Sequence, residues 1–259
     1  MSSPSTNSPC NIVVVGYPKS GTTWVSRLIS EVLQCPFNGN WGFENTTDYY
    51  LVEGKDRMTN FACYKSHHTY KRLFDCWSLQ PDKIIYLVRD PRDIVVSGTY
   101  FFDSFFRVKT GLSKLKKYLL KTSFGKKYLQ YRMTQAVLYG NAKIDKWLED
   151  PWLDHFDDYR SRPDVLVVKY EDFLADSSCT LKVVLQFLGT EVGDSRVLRS
   201  IDKQSFEKRR ELARKTQNKV DLRLLRSGKM GEWRKELNQD LVAKIEREIG
   251  EALRANNYS

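Results

Sequence analysis

The residues best suited to chemistry lie in a glycine-containing turn near the N-terminus, at positions 17–24, with the sequence YPKSGTTW. A turn of this kind between a buried strand and the start of a helix exposes backbone N–H groups, which together with the helix dipole form an anion site. Lys19 adds a mobile positive charge, and Ser20, Thr22 and Thr23 add hydroxyl donors. The 17–24 loop therefore predicts a site for phosphate or a similar anion.

The 17–24 loop departs in one place from the loop that binds nucleoside triphosphates. Residues 16–22 nearly match G-x-x-x-x-G-K-[ST], but Thr22 follows Gly21 where that motif requires lysine. The lysine stands inside the loop instead, at position 19. This difference disfavours a triphosphate with magnesium and favours a phosphate diester that carries a smaller transferable group.

A second candidate for anion binding is the segment YLVRDPRDIVVS at positions 86–97. Arg89 stands at the end of a predicted strand, and Ser97 lies just over one turn into the helix that follows. Both side chains can converge on one phosphate, and arginine supplies a planar fork of donors that lysine cannot imitate. From the residues alone, an ion pair of Arg89 with Asp90 or Asp93 explains the arginine equally well.

A third candidate is the segment LLRSGKMGEW at positions 224–233. Its two glycines lie among basic residues, with Lys229 between them and Arg226 before them, and a turn of this composition lets the backbone approach a phosphate closely. The segment therefore predicts another turn suited to phosphate.

The sequence offers few candidates for a general base, because it contains only three histidines. His67 and His68 directly follow a predicted strand, whereas His155 is predicted to lie in a polar loop. Imidazole titrates near neutral pH and suits the removal of a proton from an attacking hydroxyl. The alternative for His67 is a residue that only ends a strand and donates to a carbonyl.

These motifs resemble those of the cytosolic-type sulfotransferases that use 3′-phosphoadenosine 5′-phosphosulfate (PAPS), and they occur in that family's usual order. The YPKSGTTW segment resembles the family's phosphosulfate-binding loop, residues 86–97 its 3′-phosphate motif, and residues 224–233 its R-K-G-x-x-G-x-W segment. Ser227 stands where lysine is common, which predicts a weaker basic contact there. The resemblance implies that PAPS is the co-substrate and that adenosine 3′,5′-bisphosphate (PAP) is released.

The resemblance also implies the catalytic residues. Residues 65–67, with the sequence KSH, are similar to the family's K-T-H, in which the histidine is the base and the lysine assists at the transferred group. His67 is then the base rather than His68, Lys65 assists, and Lys19 stabilises the leaving phosphate. Scattered cysteines and three histidines show no ligand spacing, and the family needs no metal, so none is expected.

The same resemblance implies a set of residues that bind PAPS. Thr22 and Thr23 are matched to the 5′-phosphate, Arg89, Ser97, Arg226 and Gly228 to the 3′-phosphate, and Trp24, Tyr170 and Phe206 to adenine. Without the resemblance, Trp24 and Phe206 would be interpreted as core residues. The full set is Lys19, Ser20, Gly21, Thr22, Thr23, Trp24, Arg89, Ser97, Tyr170, Phe206, Arg226, Ser227 and Gly228.

The elements that must position these residues alternate between strand and helix. This alternation predicts an α/β fold of one domain, with a mainly parallel sheet flanked by helices, like that of P-loop nucleotide-binding proteins. The domain is predicted to span residues 11–259, after a disordered tail at 1–10. Predicted strands cover residues 11–15, 61–65, 83–88 and 164–169, and predicted helices cover 22–34, 92–102, 134–148, 177–188 and 238–254.

The chain carries 42 Lys and Arg against 32 Asp and Glu, and the net charge of +10 favours anionic partners. Much of the excess lies at residues 109–127 and 203–219, where a solvated helix face is the simpler interpretation. No apolar run approaches the length of a membrane span, and the N-terminus lacks the composition of a secretory signal. We therefore expect a soluble, cytoplasmic protein that binds neither nucleic acid nor membrane.

The acceptor is the least defined part of this interpretation. Aromatic segments at 37–50 and 100–106 either line an apolar acceptor pocket or belong to the core. Glu44, Asp48 and Asp103 lie among these aromatic residues and suggest an amine-bearing acceptor. We expect a small molecule that presents a hydroxyl or an amine.

Three alternatives remain open on the sequence. A small-molecule kinase with an aberrant P-loop would need magnesium and the missing lysine, and a glycan sulfotransferase would share the PAPS motifs. The basic runs would also suit a noncatalytic protein that binds polyanions. The family's K-x-x-x-T-V-x-x-x-E dimer motif is absent after Trp233, so the oligomeric state is open as well.

Overall fold

The computed structural model describes residues 8–42, 52–108 and 122–258 of the chain. By its internal contacts the chain divides into two compact units. Unit 1 comprises Met1–Gly16, Gly21–Leu87 and Tyr159–Leu225, and unit 2 comprises Tyr17–Ser20, Val88–Asp158 and Arg226–Ser259.

The chain contains five strands and a larger set of helices within the described ranges. The strands are β1 (Cys10–Val15), β2 (Phe37–Asn40), β3 (Phe61–Ser66), β4 (Lys83–Val88) and β5 (Val165–Lys169). The helices are α1 (Thr22–Leu33), α2 (Tyr70–Asp75), α3 (Pro91–Val108), α4 (Ser123–Tyr139), α5 (Trp152–Arg160), α6 (Tyr170–Ala175), α7 (Ser177–Phe187), α8 (Asp194–Lys203), α9 (Phe206–Lys215), α10 (Lys219–Leu224), α11 (Trp233–Glu236) and α12 (Gln239–Ala255).

Unit 1 is organised around the sheet, whose strands follow the order β2-β3-β1-β4-β5. Strand β1 pairs in parallel with β3 and β4, and β2 pairs in parallel with β3. Residues 12–15 of β1 are fully buried, as the near-continuous apolar runs of covered parallel strands require. The prediction of an α/β fold with a mainly parallel sheet flanked by helices is confirmed.

Helix α1 packs its apolar stripe on this sheet. Val25, Leu28, Ile29 and Val32 recur at helical spacing and are buried in the same core as the strands β1 and β3. The other face of α1 is therefore left to polar and aromatic side chains, which matter for the site.

Unit 2 is mainly helical. Helix α3 packs against α4 and α11, and α12 packs against α4. Tyr17 is fully buried among them, and its phenol donates to the carbonyl oxygens of Ala136 at 3.2 Å and Asp150 at 3.3 Å. Burial raises the pKa of Tyr17 well above its ordinary value, and the nearby Asp150 adds to the shift. The first residue of the 17–24 loop is thus fixed in the core of unit 2.

The predicted elements agree with the structure at several places and differ at others. Strand β4 has the predicted bounds, and β1 begins one residue earlier than predicted, at Cys10, whose amide donates to the Asn60 carbonyl oxygen at 2.7 Å. Strand β2 was not predicted, because its four residues lie within the 37–50 segment, which was interpreted only as a pocket wall or as core. Residues 1–7 of the predicted tail lie outside the described ranges.

The predicted helix at residues 134–148 is wrong in its position. Helix α4 already ends at Tyr139, and Gly140 follows with a positive φ of 73°. A Cβ at Gly140 would lie 1.9 Å from the carbonyl oxygen of Glu149, so only glycine fits this turn. The sequence pattern missed this close approach of two backbone segments.

The prediction that His155 lies in a polar loop is also wrong. His155 belongs to α5 and is 2% exposed. Its ring meets that of Tyr17 edge to face, with centroids 5.7 Å apart. It is a core residue of unit 2.

Candidate active site

The first half of the 17–24 loop belongs to unit 2 and carries strain and an unpaired polar group. Lys19 adopts a positive φ of 77°, which is unfavourable for a residue with a side chain. The Ser20 amide donates to the Tyr17 carbonyl oxygen at 3.0 Å, while Ser20 Oγ is buried and has no hydrogen-bond partner among the described residues. A buried hydroxyl without a partner costs free energy, so this position fits the oxygen of a bound anion.

The second half of the loop belongs to unit 1 and begins α1. Gly21 caps this helix with a φ of 95° and offers no side chain to its first amides, and the first turn contains no acidic residue. A Cβ at Gly21 would lie 2.7 Å from ring atoms of Tyr170. The helix therefore begins with uncapped N–H groups, the arrangement that binds phosphate at a helix N-terminus.

Arg89 connects two loops of unit 2. Its guanidinium donates to the carbonyl oxygens of Lys19 at 3.0 Å and Lys229 at 3.1 Å, and the residue is 6% exposed. Two of the five guanidinium donors are used in this way, which fixes the plane of the fork. Ser97 lies half-buried on α3, in the helix that follows Arg89.

In the 226–233 loop of unit 2, the residues matched to the 3′-phosphate already bond an internal carboxylate. Arg226 forms a short ion pair with Glu232, and Ser227 Oγ donates to the same Glu232 oxygen at 2.6 Å. Gly228 adopts a positive φ of 65°. Arg226 and Ser227, which could bind a phosphate, thus bind the Glu232 carboxylate of the same loop.

Asp93 holds this loop and was not assigned a role from the sequence. Its carboxylate accepts hydrogen bonds from the amides of Gly231 at 2.6 Å and Trp233 at 3.0 Å. Burial raises the pKa of Asp93, while the charge of Arg89 and these two amide bonds work in the opposite direction. An acidic residue in the first turn of α3 was the available signal, but its partners are remote in sequence.

His67 follows β3 in unit 1 and bonds the backbone just before the 17–24 loop. Its Nδ1 lies 2.7 Å from the Gly16 carbonyl oxygen. Because a carbonyl oxygen only accepts, Nδ1 carries the proton, and the lone pair of the neutral ring is on Nε2. Lys65 lies buried on β3, beside Val14 of β1.

His68 has a different environment. Its Nδ1 lies 2.9 Å from Ser66 Oγ, and its backbone carbonyl accepts a hydrogen bond from the phenol of Tyr159 at 2.8 Å. The two adjacent histidines are therefore distinguished by their partners: His67 bonds the carbonyl of Gly16, the residue that precedes the loop, and His68 bonds the Ser66 hydroxyl.

The aromatic residues matched to adenine lie in unit 1. Trp24 Nε1 donates to the Gln204 carbonyl oxygen at 2.9 Å, and its ring meets that of Tyr170 edge to face with centroids 5.7 Å apart. Phe206 begins α9, two residues after Gln204. The structure thus brings Gly21, Trp24 and Tyr170 together, while Gln204 is a contact that the sequence did not indicate.

The aromatic segments considered for the acceptor divide between core and loop-facing positions. Trp41 is fully buried, donates to the Leu73 carbonyl oxygen at 2.8 Å and packs on Tyr64, so it is a core residue. In unit 2 the Lys19 ammonium lies 3.7 Å from the ring centroid of Phe101, and Phe102 is buried. Phe43, Glu44, Asp48, Tyr49 and Tyr50, and the side chains of Asp103, Phe105 and Phe106, lie outside the described residues.

Within residues 8–42, 52–108 and 122–258, no group of three or more His, Cys, Asp or Glu side chains is arranged to hold a metal ion. In the same ranges, no helix combines the length and the apolar character that crossing a bilayer requires.

Comparison with known proteins identifies the family. The family described as "Sulfotransferase domain" matches residues 9–257. The chain therefore belongs to the sulfotransferase family, as its motifs predicted, and it is a sulfotransferase.

The relatives match most of the chain at modest identity. Mouse "Sulfotransferase 2A6" is 26% identical over 256 residues, which cover 91% of this chain and 80% of the relative. The "3-alpha-hydroxysteroid sulfotransferase" of Cavia porcellus is 28% identical over 253 residues, covering 90% of this chain and 79% of the relative.

Solved structures share the fold. Mouse sulfotransferase SULT7A1 complexed with PAP is 23% identical, with a TM-score of 0.65 over 94% of this chain and 84% of that one. Retinol dehydratase in complex with androsterone and inactive cofactor PAP is 19% identical, with a TM-score of 0.62 over 95% and 81% of the two chains.

Proposed function

We propose that this sulfotransferase transfers the sulfuryl group of PAPS to a hydroxyl or amine of a small acceptor. The observation that carries the proposal is the buried Arg89, whose fork bonds the backbone of Lys19 in one anion loop and of Lys229 in the other. A fixed guanidinium beside two such loops suits a nucleotide with phosphates at both the 5′ and 3′ positions. The named structural neighbours with PAP support this choice.

The residues present fit PAPS in chemical type. Ser20, with its unpartnered buried hydroxyl, and the uncapped start of α1 at Thr22 and Thr23 suit the 5′-phosphosulfate. We assign the 3′-phosphate to Arg89, Ser97, Arg226, Ser227 and Gly228, and adenine to Trp24, Tyr170 and Phe206.

Three side chains carry the proposed chemistry. PAPS supplies the electrophilic sulfuryl group. His67 accepts the acceptor's proton at Nε2, because Nδ1 already donates to the Gly16 carbonyl oxygen. Lys19 stabilises the negative charge that develops on the departing phosphate, and Lys65, buried on β3, assists at the transferred group.

The acceptor class is proposed from the name of a relative and from the aromatic ring of Phe101, which lies near Lys19. The Cavia porcellus relative is a 3-alpha-hydroxysteroid sulfotransferase, and Phe101 lies against the Lys19 ammonium. An apolar alcohol such as a hydroxysteroid is therefore the first acceptor to test, with phenols and amines after it. A cytoplasmic location and a single domain over residues 11–259 remain predictions.

The test is incubation of the purified chain with PAPS and a panel of hydroxysteroids, phenols, amines and sugars, with sulfated products detected by mass. We expect a sulfated small molecule and release of PAP. Sulfation of sugars alone would favour a glycan sulfotransferase, and magnesium-dependent ATP turnover without any PAPS reaction would favour a kinase. Steeply salt-dependent polyanion binding without PAP affinity would favour a noncatalytic binder.

A further inference from the structure

Three residues on one face of α1 form hydrogen bonds or ion pairs with the segment 203–221 of unit 1. Trp24 Nε1 donates to the Gln204 carbonyl oxygen at 2.9 Å, Arg27 Nη2 lies 3.0 Å from Asp221 Oδ1, and Lys203 Nζ lies 2.8 Å from Glu31 Oε1. Positions 24, 27 and 31 share one helix face, since they are three and seven residues apart. Trp24, one of the aromatic residues matched to adenine, therefore makes the first contact of this stripe.

The middle of this stripe is a network of four charges, of which three are buried and Glu53 is 29% exposed. Arg27 Nε lies 2.8 Å from Glu53 Oε1, and Arg209 Nη2 lies 2.7 Å from the same oxygen and 3.0 Å from Asp221 Oδ2. The side chains of Arg27, Asp221 and Arg209 are 4%, 5% and 7% exposed. Two guanidinium groups face two carboxylates, so the network is electrically balanced.

A network of this kind is a poor source of stability. Removing charges from water is costly, and replacing a buried ion pair with apolar residues of similar volume is often neutral or stabilising. What the network does supply is geometry, because the planar guanidinium of Arg209 donates to both Glu53 and Asp221, and that of Arg27 donates to Asp221. We therefore interpret the network as holding the helices that it joins in a fixed arrangement.

The spacing of the two arginines along their helices indicates which side chains the network positions. Arg27 follows Trp24 by three residues on α1, and Arg209 follows Phe206 by three residues on α9, so each arginine lies about one helical turn beyond an aromatic matched to adenine. Asp221 bonds both arginines. The network thus ties the helix that carries Trp24 to the helix that begins at Phe206.

We propose that Arg27, Glu53, Arg209 and Asp221 are positioning residues that set the placement of Trp24 and Phe206, and through them select adenine as the base of the co-substrate. This inference rests on the proposed function, because it needs a nucleotide to be bound. The four residues act through the two aromatic rings and have no role in the transfer step.

The test uses the charge-balanced double variant Arg209→Met/Asp221→Leu, which leaves Arg27 paired with Glu53. Dissociation constants are measured by calorimetry for PAP and for uridine 3′,5′-bisphosphate, alongside thermal unfolding. We expect the Kd of PAP to rise about tenfold, as for the loss of one base-stacking contact, while the Kd of the uridine nucleotide changes less than about twofold, because the smaller uracil ring offers less surface to two aromatic side chains than adenine does. With saturating PAPS, kcat should stay within about twofold of the wild-type value while KM for PAPS rises.

The controls separate a positioning role from a purely structural one. Arg214→Met, an exposed arginine on the same helix α9, should leave both dissociation constants unchanged. Arg209→Lys keeps the charge but not the fork and should lose part of the adenine preference. If the double variant is unfolded, Asp221→Asn, which keeps the side-chain volume, carries the same expectation.

The outcomes are distinct for the two proposals. A folded variant that keeps the wild-type preference for adenine, or that loses both nucleotides equally, overturns the positioning role and leaves the proposed function intact. A wild-type protein that binds no PAP overturns the proposed function and this inference with it.

Discussion

The 17–24 loop and the 226–233 loop are both built on left-handed backbone and a serine hydroxyl, but they differ in what that hydroxyl bonds. Ser20 Oγ is buried with no partner among the described residues, whereas Ser227 Oγ donates to the Glu232 carboxylate at 2.6 Å. The first loop has a group left for a ligand. In the second loop, the serine hydroxyl already bonds the Glu232 carboxylate.

This difference in hydrogen bonding indicates how each of the two loops contributes to phosphate binding. A phosphate at the 17–24 loop gains a bond to Ser20 Oγ that none of the described residues makes, and it meets a backbone already strained at Lys19. A phosphate at the 226–233 loop must share Arg226 and Ser227 with Glu232. We therefore expect the first loop to supply affinity and catalysis, and the second to adjust selectivity for the 3′-phosphate.

The largest effect is expected at His67, which bonds the residue before the 17–24 loop. His67→Ala should lower turnover about 10²–10⁴-fold by removing the base, while the PAP dissociation constant changes less than about threefold. Steady-state kinetics and calorimetry measure the two quantities. His68→Ala is the matched control and should retain most turnover, and wild-type turnover in His67→Ala would remove that residue from the chemistry.

Lys19 in the same loop comes next. Lys19→Ala should lower kcat about 10²–10³-fold, because its charge matters most when the phosphate departs, and PAP affinity should fall much less. The comparison is kcat against the PAP dissociation constant. Weaker binding with an unchanged kcat would show that Lys19 only holds the nucleotide.

The two serines test the comparison of the loops directly. Ser20→Ala should stabilise the ligand-free protein by about 1 kcal/mol, seen as a Tm roughly 2–4 °C higher, and weaken PAP about fivefold. Ser227→Ala should instead lower the Tm, because it removes the bond to Glu232. Equal destabilisation by both changes would show that the Ser20 hydroxyl is satisfied in the ligand-free protein.

The smallest effect is expected at Glu232. Glu232→Gln keeps an acceptor oxygen but removes the charge that competes for Arg226, so PAP should bind about threefold more tightly. Calorimetry at fixed ionic strength measures the change. Glu246→Gln, whose carboxylate pairs with Arg92, is the control and should have no effect. Weaker PAP binding in Glu232→Gln would mean that the carboxylate orients Arg226 rather than competing for it.

The sequence predicted the motifs better than their partners. Strand β4 and the position of His67 after β3 followed from apolar runs and from short-range pattern. Arg226 and Glu232 are only six residues apart in the sequence, but their ion pair was not predicted because a charged pair in a basic loop has no distinctive spacing. The roles assigned to single residues remain predictions.

What the sequence missed depends on groups brought together from remote positions. Asp93 bonds amides about 140 residues away, and Trp24 bonds a carbonyl 180 residues away. Gly140 ended a predicted helix because of a backbone approach from Glu149, and His155 entered a core beside Tyr17. Periodicity reports which face of an element is apolar, but it does not report which element will cover that face.

We propose above all that the two loops joined by Arg89 recognise a nucleotide with a 3′-phosphate. The most direct measurement is calorimetric titration of PAP and AMP into the wild-type chain and into Arg89→Met. We predict that the wild type prefers PAP by about 100-fold, the effect of one or two charge-assisted bonds, and that Arg89→Met loses most of this preference with little change for AMP. Equal affinity of the wild-type chain for PAP and AMP would contradict the account.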